Sequence, residues 1–260
     1  MTLATAPPPA SATPFDPVFA TQATFRTVLD AMARPGTVRE LPVADPAAPL
    51  PETRYLTALL LTLLDHEVGF SVVPAAGAVA DAARLTAYLV EMTGSRPSSV
   101  EEAGYVIALG SLPTGLPVRL KRGEPAYPDR GATLICLVPP LGDASAGGLA
   151  VSLAGPGVSP IHPVTLRLPG LTMTDLAAHA AANAEPPCGI DLILLDRAGH
   201  LACLPRSTRL FPHPPTPPLL SEGEGGAGRL LGGRGKGSET ATVTAAFSPL
   251  SSHRRGGVGG

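Results

Sequence analysis

Gly189-Ile190-Asp191-Leu192-Ile193-Leu194-Leu195, Asp196-Arg197-Ala198-Gly199-His200, and Leu201-Ala202-Cys203-Leu204-Pro205-Arg206-Ser207-Thr208 form the stretch on which the fold turns. Ile190 to Leu195 is a continuous apolar run, short enough for a strand covered on both faces. Asp196 to His200 carries turn chemistry, and Leu201 to Leu204 returns as a second apolar run. Read together, they form an antiparallel hairpin. One residue breaks the apolar pattern: Asp191, whose carboxylate is costly among buried side chains unless paired or multiply hydrogen-bonded. Arg206 and Arg26 are the candidate partners. One reading makes this a structural ion pair, or a cap on nearby backbone amides. The functional reading makes Arg26, Asp191, Arg206 and Ser207 a ligand- or partner-binding set.

Working outward, helical and strand patterns alternate. Thr21 to Ala33 reads as a helix in which Phe25, Val28, Leu29 and Met32 recur at one-sided spacing, stopped by Arg34-Pro35-Gly36. Val38 to Leu41 is a short strand candidate, and Arg54 to Leu64 a mostly buried helix. Val68 to Val73 is a strand. The next helix has Leu85, Tyr88, Leu89 and Met92 on one face and ends at Gly94. Tyr105 to Leu109, Thr133 to Val138 and Leu149 to Leu153 are strands, the last closed by Gly155-Pro156-Gly157. Met173 to Asn183 is an Ala-rich helix. This alternation predicts a single layered α/β domain with a mixed β-sheet, over residues 15–211. Residues 1–14 and 212–260 are rich in Pro, Gly, Ala, Ser and Thr and lack apolar periodicity. They are expected to be disordered.

Composition narrows the function. The apolar fraction is 44 %, enough for a real core, while charged residues make up only 15 %. So few charges fit a chain whose apolar surface a partner covers. A net charge of -2 argues against nucleic acid as a partner. No apolar run reaches the length of a membrane span, and the start lacks a signal-peptide layout. The expectation is a cytoplasmic protein. Cys136 and Cys203 sit inside apolar runs and read as core residues, and the three cysteines have neither zinc nor CxxC spacing.

The familiar catalytic motifs fail on chemistry. Gly235-Lys236 suggests a phosphate loop, but Leu230 stands where the first glycine belongs, Gly237 replaces Ser or Thr, and no strand precedes it. Asp65, His66 and Glu67 are adjacent and do not converge on one metal, so they read as a solvated helix end. There is no HxxxH or HxxEH pair for a metal, and no GxSxG elbow for a hydrolase nucleophile. Gly155-Pro156-Gly157 can bring amides to an anion, but a plain turn after a strand has the same composition. No cofactor and no metal are expected.

Several pieces resemble the PhnH family. They are Thr21-Gln22-Ala23-Thr24-Phe25-Arg26 through Met32 to Arg34-Pro35-Gly36, Leu59 to Asp65, Gly131-Ala132-Thr133-Leu134-Ile135, Gly155-Pro156-Gly157, Cys188-Gly189-Ile190-Asp191-Leu192 and Leu204-Pro205-Arg206-Ser207-Thr208. They fall in order across Phe15 to Leu210. Cys188 departs from the apolar residue expected there, and nothing beyond Phe211 has a family counterpart. The resemblance implies a subunit of the carbon–phosphorus lyase core complex, which attaches methylphosphonate to C1 of the ATP ribose and displaces adenine. A later radical step on an iron–sulfur partner breaks the C–P bond. The other core subunits are the implied partners, with a homodimer inside the assembly. The implied fold is similar to that of the pyridoxal-phosphate-dependent transferases, but the cofactor lysine is missing. Lys236 lies in the tail, Lys121 lies in a polar loop, and there is no third lysine. Three roles stay open: an assembly subunit, a contributor to a phosphonate or nucleotide pocket through Arg26 and Arg206, and a stand-alone anion-processing enzyme.

Overall fold

The computed structural model describes residues 16–42, 46–142, 147–159, 161 and 164–213. The expected disordered segments, 1–14 and all but the first two residues of 212–260, lie outside them. The chain divides into two units, 1–216 and 217–260, and every described residue belongs to the first.

Asp16 caps the first helix, α1 (Pro17–Ala33), accepting from the amides of Val18 and Phe19 at 2.8 and 3.1 Å. An Asp cap followed by Pro at the first helical position starts the helix four residues before Thr21, the start expected from apolar spacing. A short strand, β1 (Arg39–Glu40), and a 3-10 turn lead into α2 (Arg54–Leu63). There follow β2 (Gly69–Val73), α3 (Val79–Thr93), β3 (Arg96–Pro97), β4 (Tyr105–Ala108), α4 (Leu116–Arg119), and a hairpin of β5 (Arg122–Glu124) and β6 (Tyr127–Gly131). The rest is β7 (Thr133–Leu137), β8 (Leu149–Ala154), β9 (Thr165–Leu168), α5 (Met173–Ala182), β10 (Asp191–Leu195), β11 (His200–Leu204) and β12 (Arg209–Pro212).

The main sheet is mixed, with strand order β1-β11-β10-β7-β4-β2-β3. β10, β7, β4, β2 and β3 run parallel; at one edge β11 is added antiparallel to β10, and β1 antiparallel to β11. Ile107, Ile135 and Ile193 stand in register across three central strands. They face α1, α2 and α3, packing into a core with Val28, Leu56, Leu59, Leu60, Leu85 and Leu89. Alternate residues, Val106, Leu134, Cys136, Leu192 and Leu194, face the other way. There they meet α4, α5 and a second, three-stranded antiparallel sheet ordered β12-β8-β9. Both faces are covered, which is why these strands read as unbroken apolar runs. Cys136 and Cys203 are buried in these layers, and burial pushes the Cys203 thiol up to about 12.

Two expected faces are corrected. In α1 the buried residues are Thr24, Val28 and Ala31, while Phe25 and Leu29 are 45 % and 51 % exposed. Small side chains let α1 sit close against α2 and β11, which turns the larger ones outward. In α3 the buried line is Ala82, Leu85 and Leu89, and Met92 faces out. Among the described residues no helix is long and apolar enough to cross a membrane.

Candidate functional site

The open end of the β10–β11 hairpin is a built corner. Leu192 pairs with Leu204, so Asp191 and the Pro205-Arg206 segment emerge side by side. Asp191 Oδ1 accepts from the Arg206 amide at 2.8 Å, and both carboxylate oxygens accept from Nε at 3.2 Å. Nη2 donates to Oδ2 at 2.5 Å, and Nη1 donates to the Pro128 carbonyl on β6. The guanidinium therefore ties together three segments distant in sequence. Charge-assisted, fork-like bonding of this kind is among the stronger polar contacts. The pair is about one-fifth exposed, 21 % for Asp191 and 19 % for Arg206. Full burial, assumed from the apolar run, is thus corrected: Asp191 is the first residue of its strand and sits at the sheet's rim. Gly131 and Gly189 make room for the corner. A Cβ on Gly131 would come within 2.6 Å of Arg206 Nη1, and one on Gly189 within 2.2 Å of Asn183 Oδ1.

The other sequence candidates separate. Arg26 is not the partner of Asp191; it lies on the exposed side of α1, lining a shallow cleft with Asp30, Arg34 and Arg39. Asp30 there already pairs with Arg39 at 2.6 Å and with Arg34. Ser207 is exposed and lines a different cleft, of about 740 Å³, between α5 and the segment 206–211. Gly155-Pro156-Gly157 is a packing turn, since a Cβ on Gly155 would reach the Ser207 carbonyl at 2.7 Å and one on Gly157 the Ala33 carbonyl at 2.3 Å. Lys121 lies in a polar loop, as expected, and is half-buried there. It immediately precedes the β5–β6 hairpin, its carbonyl accepts from Ala132 at 2.7 Å, and its residue lines a small polar cleft with Tyr105, Glu102 and Asp129. Asp65 caps the turn after α2 by accepting from the Glu67 amide at 2.8 Å, in line with a solvated helix end. Among the described residues no group of three or more His, Cys, Asp or Glu is placed to hold a metal.

Sequence reasoning missed two polar networks. At the turn of the same hairpin Asp196 is almost wholly buried. Its Oδ1 accepts from the amides of Ala198 and His200, and its Oδ2 from the Leu141 amide and His200 Nδ1, all at 2.8–2.9 Å. Burial pushes its carboxyl up, but the hydrogen bonds from Leu141 and His200 outweigh it and hold it below the ordinary value. Asp at the head of an Arg-Ala-Gly turn was the available signal.

The second network is on α5. A reciprocal cap fixes the helix start: Thr172 Oγ1 accepts from the Asp175 amide, and Asp175 accepts from the Thr172 amide at 2.8 Å. Further along, Asn183 Oδ1 accepts from the Ile190 amide at 2.7 Å. Its NH2 group is left to face His179 Nε2, at 3.2 Å. Nε2 is then the acceptor, so Nδ1 carries the imidazole proton. Burial pulls the His179 pKa down to about 4, against a smaller upward pull from Asp191. His179 is neutral at pH 7.

Residues 14–211 match the family model described as bacterial phosphonate metabolism protein (PhnH). The chain is also 34 % identical over 196 residues to the alpha-D-ribose 1-methylphosphonate 5-triphosphate synthase subunit PhnH of Rhizobium meliloti (strain 1021), covering 75 % of this chain and 92 % of that protein.

Proposed function

The chain belongs to the PhnH family, and on that premise we propose that it is a subunit of the carbon–phosphorus lyase core complex, working in phosphonate catabolism. There it serves the formation of ribose 1-methylphosphonate 5-triphosphate from ATP and methylphosphonate, in a structural or assembly role. The observation that carries this reading is the match to a named synthase subunit over 92 % of that subunit's length. Two features of the chain support it. Arg206 is committed to Asp191 and the Pro128 carbonyl, which is the work of a structural clamp. Val18, Phe25 and Leu29 leave apolar surface along the outer side of α1, as befits a chain with protein partners.

The finer parts of the proposal are a homodimer inside the assembly, a cytoplasmic location, and a fold similar to the pyridoxal-phosphate-dependent transferases without their chemistry. The test is genetic. In a bacterium that lacks its own PhnH, this chain restores growth on methylphosphonate as sole phosphorus source. Failure of the soluble, expressed chain to restore growth contradicts the reading.

A further inference from the structure

α1 carries two stripes, and the fold uses one of them. Thr24, Val28 and Ala31 face the core. About a third of a turn round the helix, Val18, Gln22, Phe25 and Leu29 follow one another at steps of four, three and four residues. That spacing lines them up as a seam along one side. All four are exposed, Val18 at 69 %. Phe19, 72 % exposed, and Arg26 flank the seam on the same side. Arg26 makes no ion pair among the described residues. Seams of this spacing take a second helix at a shallow crossing angle.

We propose that this face binds α1 of a second copy of the chain, the two helices antiparallel about a twofold axis. The seam is self-complementary. In that register Val18 meets Leu29 of the second copy and Gln22 meets its Phe25, and the axis repeats both layers in reverse order. The flanks match as well: Phe19 comes beside Arg26 of the second copy, so each guanidinium lies against an aromatic ring. Gln22, the one polar residue of the seam, specifies register at some cost in stability. A foreign helix would have to supply these layers, whereas a second copy supplies all of them from residues already exposed. The pairing deepens the homodimer of the reading above and rests on it for the kind of partner; the face itself is set by the exposed side chains. One helix from each copy is less than a standard interface, so the dimer is reversible, with a dissociation constant on the order of ten micromolar.

Sedimentation equilibrium of the full chain, from about 1 µM to about 300 µM, reads the pairing as a monomer–dimer equilibrium. Phe25→Glu and Leu29→Glu each raise the dissociation constant about a hundredfold or more, because twofold symmetry sets two charges into the contact. Both residues are exposed in the single chain, so circular dichroism and the melting temperature stay those of the parent. The flanks read the register. Arg26→Glu alone weakens dimerisation several-fold, and adding Phe19→Lys restores it, as an ion pair replaces the ring contact. A monomer at every concentration overturns the pairing, as does a dimer that persists unchanged in the folded Phe25→Glu chain. Failure of Phe19→Lys to rescue Arg26→Glu overturns the antiparallel register. Co-purification with the other synthase subunits is read separately on the same variants. A monomeric parent chain that loses those subunits on Phe25→Glu assigns the face to one of them; it refutes the self-pairing and leaves the assembly reading standing.

Discussion

Asp191 and Arg206, fifteen residues apart, close the open end of the β10–β11 hairpin with Nη2 2.5 Å from Oδ2 and the Arg206 amide 2.8 Å from Oδ1. Replacing either residue leaves the other unpaired at a site about four-fifths shielded. A buried pair broken this way costs roughly 3–5 kcal/mol. The residual exposure of both side chains lowers the expectation to about 2 kcal/mol for Asp191→Ala and for Arg206→Ala. Chemical denaturation of both singles and the double then gives a coupling of at least ~1 kcal/mol. Arg206→Lys does not restore stability, because a single ammonium cannot reach the carboxylate and Pro128 together. Strict additivity in the cycle means that the two residues do not interact.

His179 sets a pH window. Its folded pKa is depressed to about 4, from an ordinary 6.5. The unfolded chain therefore binds more protons between these values, and stability is full above 6.5 and falls as pH drops toward 4. The loss attributable to this one side chain is on the order of 3 kcal/mol. His179→Gln keeps an acceptor for Asn183 and flattens that slope. Melting temperatures at a series of pH values measure it, and an unchanged slope in the variant assigns the effect elsewhere. Asp196, with its carboxyl held below the ordinary value, loses its contribution at lower pH, as pH falls through its folded pKa.

Lys121 is expected to form no internal aldimine with pyridoxal phosphate. Excess cofactor leaves the absorbance spectrum free of a Schiff-base band, and borohydride traps no adduct on Lys121. A trapped adduct there contradicts the structural role and revives an enzymatic one.

The last described strand, β12, ends at Pro212. Pro212 pairs with Val151, and His213 adds a bond from its amide to the Ala150 carbonyl at 2.8 Å. Truncation after His213 is expected to leave the melting temperature unchanged, since the sequence beyond has no apolar pattern with which to join a core. Truncation after Leu210 removes three rungs beside β8 and lowers it. A drop of several degrees for the longer product shows that residues 214–260 stabilise the domain.

The hairpin and the central strands were legible because burial on both faces writes itself as unbroken apolar runs, and because Asp196–Gly199 is a turn by composition. The partner of Asp191 was legible as a choice between two arginines; the antiparallel pairing of Leu192 with Leu204 decides it. The face of α1 was not, because two stripes compete: Phe25 and Leu29 are larger, but Thr24, Val28 and Ala31 permit the closer approach to α2 and β11. Nor was β6, Tyr-Pro-Asp-Arg-Gly, which is a strand for its place beside β5 rather than for its propensity. Its Pro128 carbonyl meets Arg206 from 78 residues away, a contact that no local pattern encodes. The His179–Asn183 pair is visible at helical spacing.

Co-expression with the other synthase subunits, followed by pulldown on one of them and determination of the assembly's mass, decides whether the chain is a subunit of the complex. This chain is expected to co-purify in one stable complex, and the complex to fall short of its full mass without it. Recovery of the complete partner assembly with this chain eluting alone would contradict it.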